Sequence, residues 1–366
     1  MVYYLAGQIW PAGAHFVPAP SKEEKALQDG QLLALMKCLA PEQVEQIGRH
    51  AQVLTGIDNM QPVGRRALAG RLRLPEREVR TIAANLKDQG LLTLDAAGMQ
   101  LTPKADQVLP GARDLTRSLF GLHDLEERLS KALNIPYVLV VAGDAEKDAQ
   151  VLREVGRACA HRLRSLLSGQ KTVAIAGGST MMETARGMQF ASLPEVTVVP
   201  ARGGMGNSIE TQANTIASEL ARRLGGRCKA IHVPDSLDAS ALGEMLRLPE
   251  VKEAIELLEK ADVVVHGIAL ADDMALRRSL PPSIVQRIRE NGAVGETFGD
   301  FFDRNGQTVY RMNTVGTGLG HNTNCRLIAA AAGAGKAPAI IAALRRESHD
   351  SLITDESAAQ EILALL

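Results

Sequence analysis

Apolar positions return every three or four residues between 41 and 57, where Val44, Ile47, Ala51 and Leu54 form one stripe of a predicted helix. A second helix is expected from about Gly64 to Leu72, burying Leu68 and Leu72. Pro75 suits the first turn of a third, whose buried side would hold Val79, Ile82, Ala83 and Leu86. Glu76 and Glu78 favour the positive end of its dipole, and Gly90 stops it. Two short apolar segments follow, 91–94 and 99–102, separated by Asp95-Ala96-Ala97-Gly98, which is a hairpin signal. Helix, helix, helix, glycine and hairpin is the order of a winged helix-turn-helix. A small helical bundle with a stray hairpin is the rival arrangement.

Past Pro110, Leu115, Leu119, Leu122, Leu125 and Leu129 keep mostly helical spacing. They predict a linker helix over 109–134 whose stripe packs on the next domain or on a second subunit. From 135 onward the pattern changes to β-branched runs alternating with amphipathic helices. The runs are 137–141, 172–176, 196–199, 230–233, 263–266, 308–312, 327–331 and 352–354. Such alternation predicts an α/β domain, a doubly wound, Rossmann-like and mainly parallel sheet covered on both faces. Residues 1–30, with Trp10, Pro11, Pro18 and Pro20 and no period, read as a poorly ordered extension. The expected organisation is therefore 1–30 extension, 31–108 winged-helix DNA-binding domain, 109–134 linker and 135–366 effector-binding domain.

Charge sharpens the reading of the first domain. The net charge of −1 over 366 residues excludes a general polycation, so nucleic-acid binding needs a local patch. Between 62 and 90 the chain carries Arg65, Arg66, Arg71, Arg73, Arg77, Arg80 and Lys87 against Glu76, Glu78 and Asp88, a net +4. A solvated surface has a similar composition. The helical pattern, however, gathers Arg77, Arg80, Thr81, Ala84 and Lys87 on the side opposite the buried one. Arg65, Arg66, Arg77, Arg80, Thr81 and Lys87 are the candidate contacts to double-stranded operator DNA. One winged helix has a small footprint, so a homodimer or homotetramer is expected.

Cys38, Cys159, Cys228 and Cys325 are widely spaced and read as reduced thiols of a cytoplasmic protein. His321 and Cys325 lie four apart, which does not make a metal site, and no H-x-x-x-H spacing occurs. No signal peptide is evident at the N-terminus. The longest apolar tract, 327–344, is interrupted by Gly333, Gly335, Lys336 and Pro338 and does not read as a membrane span.

Candidate ligand chemistry centres on Gly177-Gly178-Ser179-Thr180, where a buried strand runs into two glycines and two hydroxyls before a helix. Glycines let backbone approach an anion, and helix-start amides point toward it. A mere tight turn has the same composition. Gly333-Ala334-Gly335-Lys336-Ala337 resembles the end of a Walker A loop, but Ala330 and Ala337 stand where its first glycine and its magnesium-binding hydroxyl belong. Gly316-Thr317-Gly318-Leu319-Gly320 lacks the strand–helix context of a dinucleotide fingerprint. Lys336 remains, on a glycine-flanked turn at the carboxyl edge of the expected sheet.

Several separated motifs, Pro62-Val63-Gly64-Arg65-Arg66, Gly177-Gly178-Ser179-Thr180, Val199-Pro200-Ala201-Arg202-Gly203-Gly204, Thr211-Gln212-Ala213-Asn214-Thr215, Val265-His266-Gly267-Ile268, Arg277-Arg278 and Leu352-Ile353-Thr354-Asp355-Glu356, resemble those of the SorC/DeoR-type regulators. The similarity runs from about residue 60 to the C-terminus. It implies a winged-helix repressor of glycolytic genes with a sensor domain related to sugar-phosphate isomerases, no cofactor, and fructose 1,6-bisphosphate as inducer. By motif the effector residues are Gly177, Gly178, Ser179, Thr180, Arg202, Gln212, Arg277, Glu296 and Lys336. Gly178, Ser179 and Thr180 would cradle one phosphate, Arg277 and Lys336 would neutralise charge, and Glu296 would accept sugar hydroxyls. This chain has Ala334-Gly335 where the family usually places hydroxyl residues before the lysine, and it also differs over 318–324. Two alternatives stay open: a regulator answering another sugar phosphate, and a sugar-phosphate isomerase or deaminase. The enzyme would use Asp272 or Asp273 as base, although the Asp-Gly-His triplet of the deaminases is missing.

Overall fold

The computed structural model describes residues 35–72, 74–119, 121–204, 209–234, 237–316 and 325–366, together with the backbone pairing of Tyr4–Leu5 with Gln8–Ile9. Otherwise the expectation for 1–30 lies outside the described residues, as do those for Arg73 and for 317–324. The chain divides into two compact units, Met1–Leu119 and Phe120–Leu366.

In the first unit, helices Pro41–Met60, Arg65–Leu72 and Glu76–Asp88 enclose a core of Val53, Leu54, Ile57, Leu68, Val79, Ile82 and Leu86. The period reading of the third helix holds, with Val79, Ile82, Ala83 and Leu86 all buried. Ile47, expected inside, is exposed instead. The buried stripe runs through Gly48, where an added Cβ would lie 2.5 Å from Leu119 Cδ1. That contact exists because helix Leu109–Leu119 closes over Pro41–Met60, with Arg113 paired to Asp58.

Strands Leu92–Asp95 and Gly98–Leu101 form the hairpin, with Leu92 opposite Leu101 and Asp95 opposite Gly98. The Asp95 carboxylate accepts the amides of Ala97 and Gly98 at 2.8 and 3.1 Å and so shapes the turn. Val63 exchanges two backbone bonds with Met99, a one-residue bridge that lays a third segment beside Gly98–Leu101. Position 98 requires glycine: φ is 132°, and a Cβ would stand 2.7 Å from the Val63 carbonyl. Together these elements make the winged helix-turn-helix.

The single linker helix expected over 109–134 is two helices, Leu109–Leu119 and Leu122–Leu133, one in each unit. Gly121 has φ 72°, a conformation that interrupts helical hydrogen bonding. Leu122, Leu125 and Leu129 are buried against Ile340, Ile341 and Ile362, so they are core and not a contact surface for another subunit.

The second unit is built on a seven-stranded, wholly parallel sheet. Its order is Tyr137–Val141, Ser351–Asp355, Arg326–Ala330, Val263–His266, Lys171–Ile175, Val196–Pro200 and Arg227–Cys228. All four residues of Val263–His266 are buried, as befits a strand covered on both faces. Neighbours along Arg326–Ala330 serve opposite cores: Ile328 and Ala330 join one, Ala329 the other. At one margin, Glu126 Oε1 accepts the Val140 amide at 2.7 Å; the other margin is the exposed two-residue strand Arg227–Cys228.

Two strand expectations are corrected. Residues 230–233 form no strand: the strand at this margin falls earlier, at Arg227–Cys228, and the Asn214 side chain binds both backbone groups of Ile231, at 2.9 and 3.0 Å. The run near 308–312 is strand Thr308–Arg311, but it belongs to a separate antiparallel sheet. That sheet runs Ala269–Leu270, Ala293–Thr297, Asp300–Asp303, Thr308–Arg311.

Candidate functional site

All six candidate DNA residues are exposed. Arg77, Arg80, Thr81 and Lys87 share the outer side of Glu76–Asp88, and Arg65 and Arg66 open the preceding helix. Among the described residues Arg65, Arg77, Arg80 and Lys87 make no ion pair, whereas Arg66 Nε lies 3.3 Å from Glu76 in an exposed pair worth little. The Thr81 hydroxyl donates to the Arg77 carbonyl at 3.1 Å. Arg49, which sequence reasoning missed, bridges Glu45 and Glu78 and fixes this helix against Pro41–Met60. A depression of about 330 Å³ beside it is lined by Gln46, Arg49, His50, Arg77, Thr81 and Asn85.

In the second unit the strand order reverses between Lys171–Ile175 and Val263–His266. The crevice at the carboxyl ends of such strands is where open α/β sheets bind ligands. Gly177–Thr180, Arg202 and Lys336 lie on turns or helix starts that follow parallel strands at this edge, whereas Arg277 ends the helix Ala271–Arg277 that follows Ala269–Leu270 of the antiparallel sheet.

Around Gly177 the chain is tight. A Cβ there would stand 2.9 Å from the Thr211 carbonyl, and the Gly178 amide donates to that same carbonyl at 2.9 Å. The Gly178 N–H is thus engaged within the turn, and its φ of 111° favours glycine. Helix Ser179–Gly187 begins here, and its first-turn amides have no carbonyl a turn earlier to accept them. Ser179 is exposed, Thr180 buried, and Gln212 adjoins the turn through Thr211.

Glu296 is the buried hub of the neighbouring cluster. Its Oε1 accepts Arg278 Nη2 at 2.5 Å, the Gly299 amide at 2.6 Å and Arg202 Nη1 at 3.4 Å. Arg278, which sequence reasoning did not choose, therefore turns inward at the end of helix Ala271–Arg277 while Arg277 stays exposed. Two adjacent arginines gave no sign of which would point where. Arg278 and Gln212 also line a cavity of about 830 Å³ with His232, Tyr310, Met312 and Asn313. His266 is buried between Phe298 and His349, and burial together with His349 brings its pKa down to about 3.

Lys336 ends the short 3-10 turn Ala334–Lys336 ahead of helix Ala337–Arg346. Its pKa is lowered, first by burial and then by the Arg277 guanidinium. Among the described residues neither Lys336 nor Arg277 has an ion-pair partner; the carboxylates of Asp273, Asp355 and Glu146 act on Lys336 in the opposite sense, without pairing with it. The turn is knitted by Asp355, whose carboxylate accepts the amides of Gly333, Ala145 and Ala358 at 2.9, 2.7 and 3.2 Å. No group of three or more His, Cys, Asp and Glu among the described residues is placed to hold a metal ion, and no helix among them is long and apolar enough to cross a membrane.

Residues 47–115 match the CggR N-terminal DNA-binding domain, and 117–364 match the sugar-binding domain family Sugar-bind. The central glycolytic genes regulator of Priestia megaterium is 37% identical over 336 residues, covering 91% of this chain and 98% of that protein. Its namesake from Bacillus subtilis is 34% identical over 335 residues, with the same coverage. The chain belongs to the SorC-type transcriptional regulators. Within them it is of the central glycolytic genes regulator type.

The solved structure of a SorC family regulator from Enterococcus faecalis covers 66% of this chain and all of its own, with 35% identity and a TM-score of 0.62. The full-length sorbitol operon regulator of Klebsiella pneumoniae covers 89% at 17% identity with a TM-score of 0.60, which shows the shared fold. The curated relatives are regulators, and this chain, which carries the DNA-binding-domain match, is a regulator of the same type and not an enzyme. Asp272, the base considered for an isomerase, is exposed and paired with Arg289 at 2.8 Å.

Proposed function

We propose that this regulator represses glycolytic genes as a homodimer or homotetramer and that fructose 1,6-bisphosphate modulates its hold on operator DNA. The observation that carries this reading is the place of Lys336, a largely buried cation with no ion pair among the described residues, on a turn at the same sheet edge as the Ser179–Gly187 helix start. An elongated ligand with a phosphate at each end supplies an anion to both places. The names of the relatives, central glycolytic genes regulators, support the glycolytic assignment. Between the two ends, Glu296 presents its remaining oxygen, Oε2, for which no hydrogen-bond partner is found among the described residues, to sugar hydroxyls while Oε1 orders two arginines. Gln212 and Arg202 complete the lining. Outside, Arg65, Arg66, Arg77, Arg80, Thr81 and Lys87 face the operator.

Thermal unfolding with a panel of phosphorylated sugars tests the effector. A ligand at a hundred times its Kd adds about 2.7 kcal/mol. Fructose 1,6-bisphosphate is expected to stabilise most and to change binding to DNA upstream of glycolytic genes. The second reading, another sugar phosphate, draws on Ala334-Gly335, which offer no side-chain hydroxyl beside Lys336. A larger shift with a monophosphate would establish it instead.

A further inference from the structure

Glu146 stands on the turn that carries Lys336. Its Oε1 accepts the Gly335 amide at 2.9 Å. A Cβ on Gly333 would come within 2.8 Å of the same side chain, and one on Gly335 within 2.9 Å of Oε1. Two glycines, one with φ of 104°, thus make room for one carboxylate. The segment bearing Glu146 is itself anchored, because Asp355 accepts the amides of both Ala145 and Gly333. The carboxylate lies where helical amides point outward and negative charge is favoured. Asp273, Asp355 and Glu146 all act on Lys336 against the combined effect of burial and Arg277.

We propose that Glu146 is an internal anion holding the phosphate position of this turn in the ligand-free protein, so that an effector binds here only by displacing it. The inference rests on the effector reading above and names what that effector competes with. A phosphate brings nearly two charges and several acceptor oxygens to Gly335, Lys336 and Arg277, and replaces a single carboxylate. A neutral sugar end brings none, and Glu146 stays. The residue therefore sets a threshold that admits ligands phosphorylated at this end. A side chain at 335 would push the carboxylate off the turn, so the device depends on this chain's Gly335.

Calorimetric titration of the full chain tests it, with fructose 1,6-bisphosphate and inorganic phosphate as probes against the parent, Glu146→Gln and Glu146→Ala. Losing a charge-assisted competitor should tighten binding of both probes about tenfold in Glu146→Ala. Glu146→Gln, which keeps an acceptor oxygen without the charge, should gain less, and it decides the matter if the alanine variant does not fold. The melting temperature of the unliganded variants should fall, while that of the saturated forms should match the parent. Unchanged affinity overturns the proposal. Weaker affinity also overturns it, and makes Glu146 a residue that holds the ligand. If inorganic phosphate gains while the bisphosphate binds no form, the competitor stands and the sugar-bisphosphate reading falls. If neither probe binds any form, both are overturned.

Discussion

Arg278 Nη2 lies 2.5 Å from Glu296 Oε1, and both side chains are almost wholly enclosed. Removing one partner of such a pair leaves an uncompensated buried charge, at a cost of about 3–5 kcal/mol. Arg278→Ala should therefore destabilise the second unit strongly, and Arg278→Lys should recover little because it lacks the planar fork. Chemical denaturation of the two variants measures this. Stabilities within about 1 kcal/mol of the parent would show the pair to be unimportant for the fold.

Lys336 gives a pH signature. Its folded pKa lies below 10.5 because of burial and Arg277, so on the alkaline side the unfolded chain holds the proton longer than the folded one. Stability of the ligand-free protein should rise with pH between the depressed folded value and 10.5. Phosphate affinity should fall over the same interval, as Lys336 loses its charge. Lys336→Met should flatten both profiles and weaken the bisphosphate at least about tenfold. Equal affinity of Lys336→Met and parent would remove the lysine from the site.

Asn214 binds both backbone groups of Ile231. Asn214→Ala leaves two buried backbone groups unpaired, and a loss of about 1–3 kcal/mol is expected. Because the 231–234 segment lines the 830 Å³ cavity, effector affinity should drop as well. Thermal melts and titration together report both effects; a variant with parental values in each would refute the role of the side chain.

On the outer side of Glu76–Asp88, Arg77→Ala and Arg80→Ala should weaken operator binding without altering effector affinity. An arginine that reads a base edge contributes about 1–3 kcal/mol on the specific sequence. One that touches only phosphate weakens all sequences alike and lowers the salt slope by about one unit. Fluorescence anisotropy at several salt concentrations separates these outcomes, and unchanged affinity for both variants would reassign the helix.

The winged helix was legible because Val79, Ile82, Ala83 and Leu86 follow the helical period and Asp95–Gly98 follows turn chemistry, both local signals. The parallel sheet was legible from its continuous apolar runs. Ala293–Thr297 and Asp300–Asp303 were not: both bury successive residues, so they show no alternation, and Gly295, Glu296, Asp300 and Asp303 deny them an apolar run. The break at Gly121 was hidden by leucines that keep their spacing across it. In the candidate site, glycine turns and lone cations announced themselves, whereas Arg278 and Glu146 owe their positions to chain segments many residues away.

Both margins of the parallel sheet are closed to further strands. Glu126 takes up the Val140 amide that a newcomer would need on one side. On the other, Arg227–Cys228 offers only two residues of free backbone, one bearing a charge. Open strand edges are the places where copies of a protein zip together and grow into aggregates. One glutamate and the shortness of the last strand thus leave this sheet little edge on which a second copy could extend it.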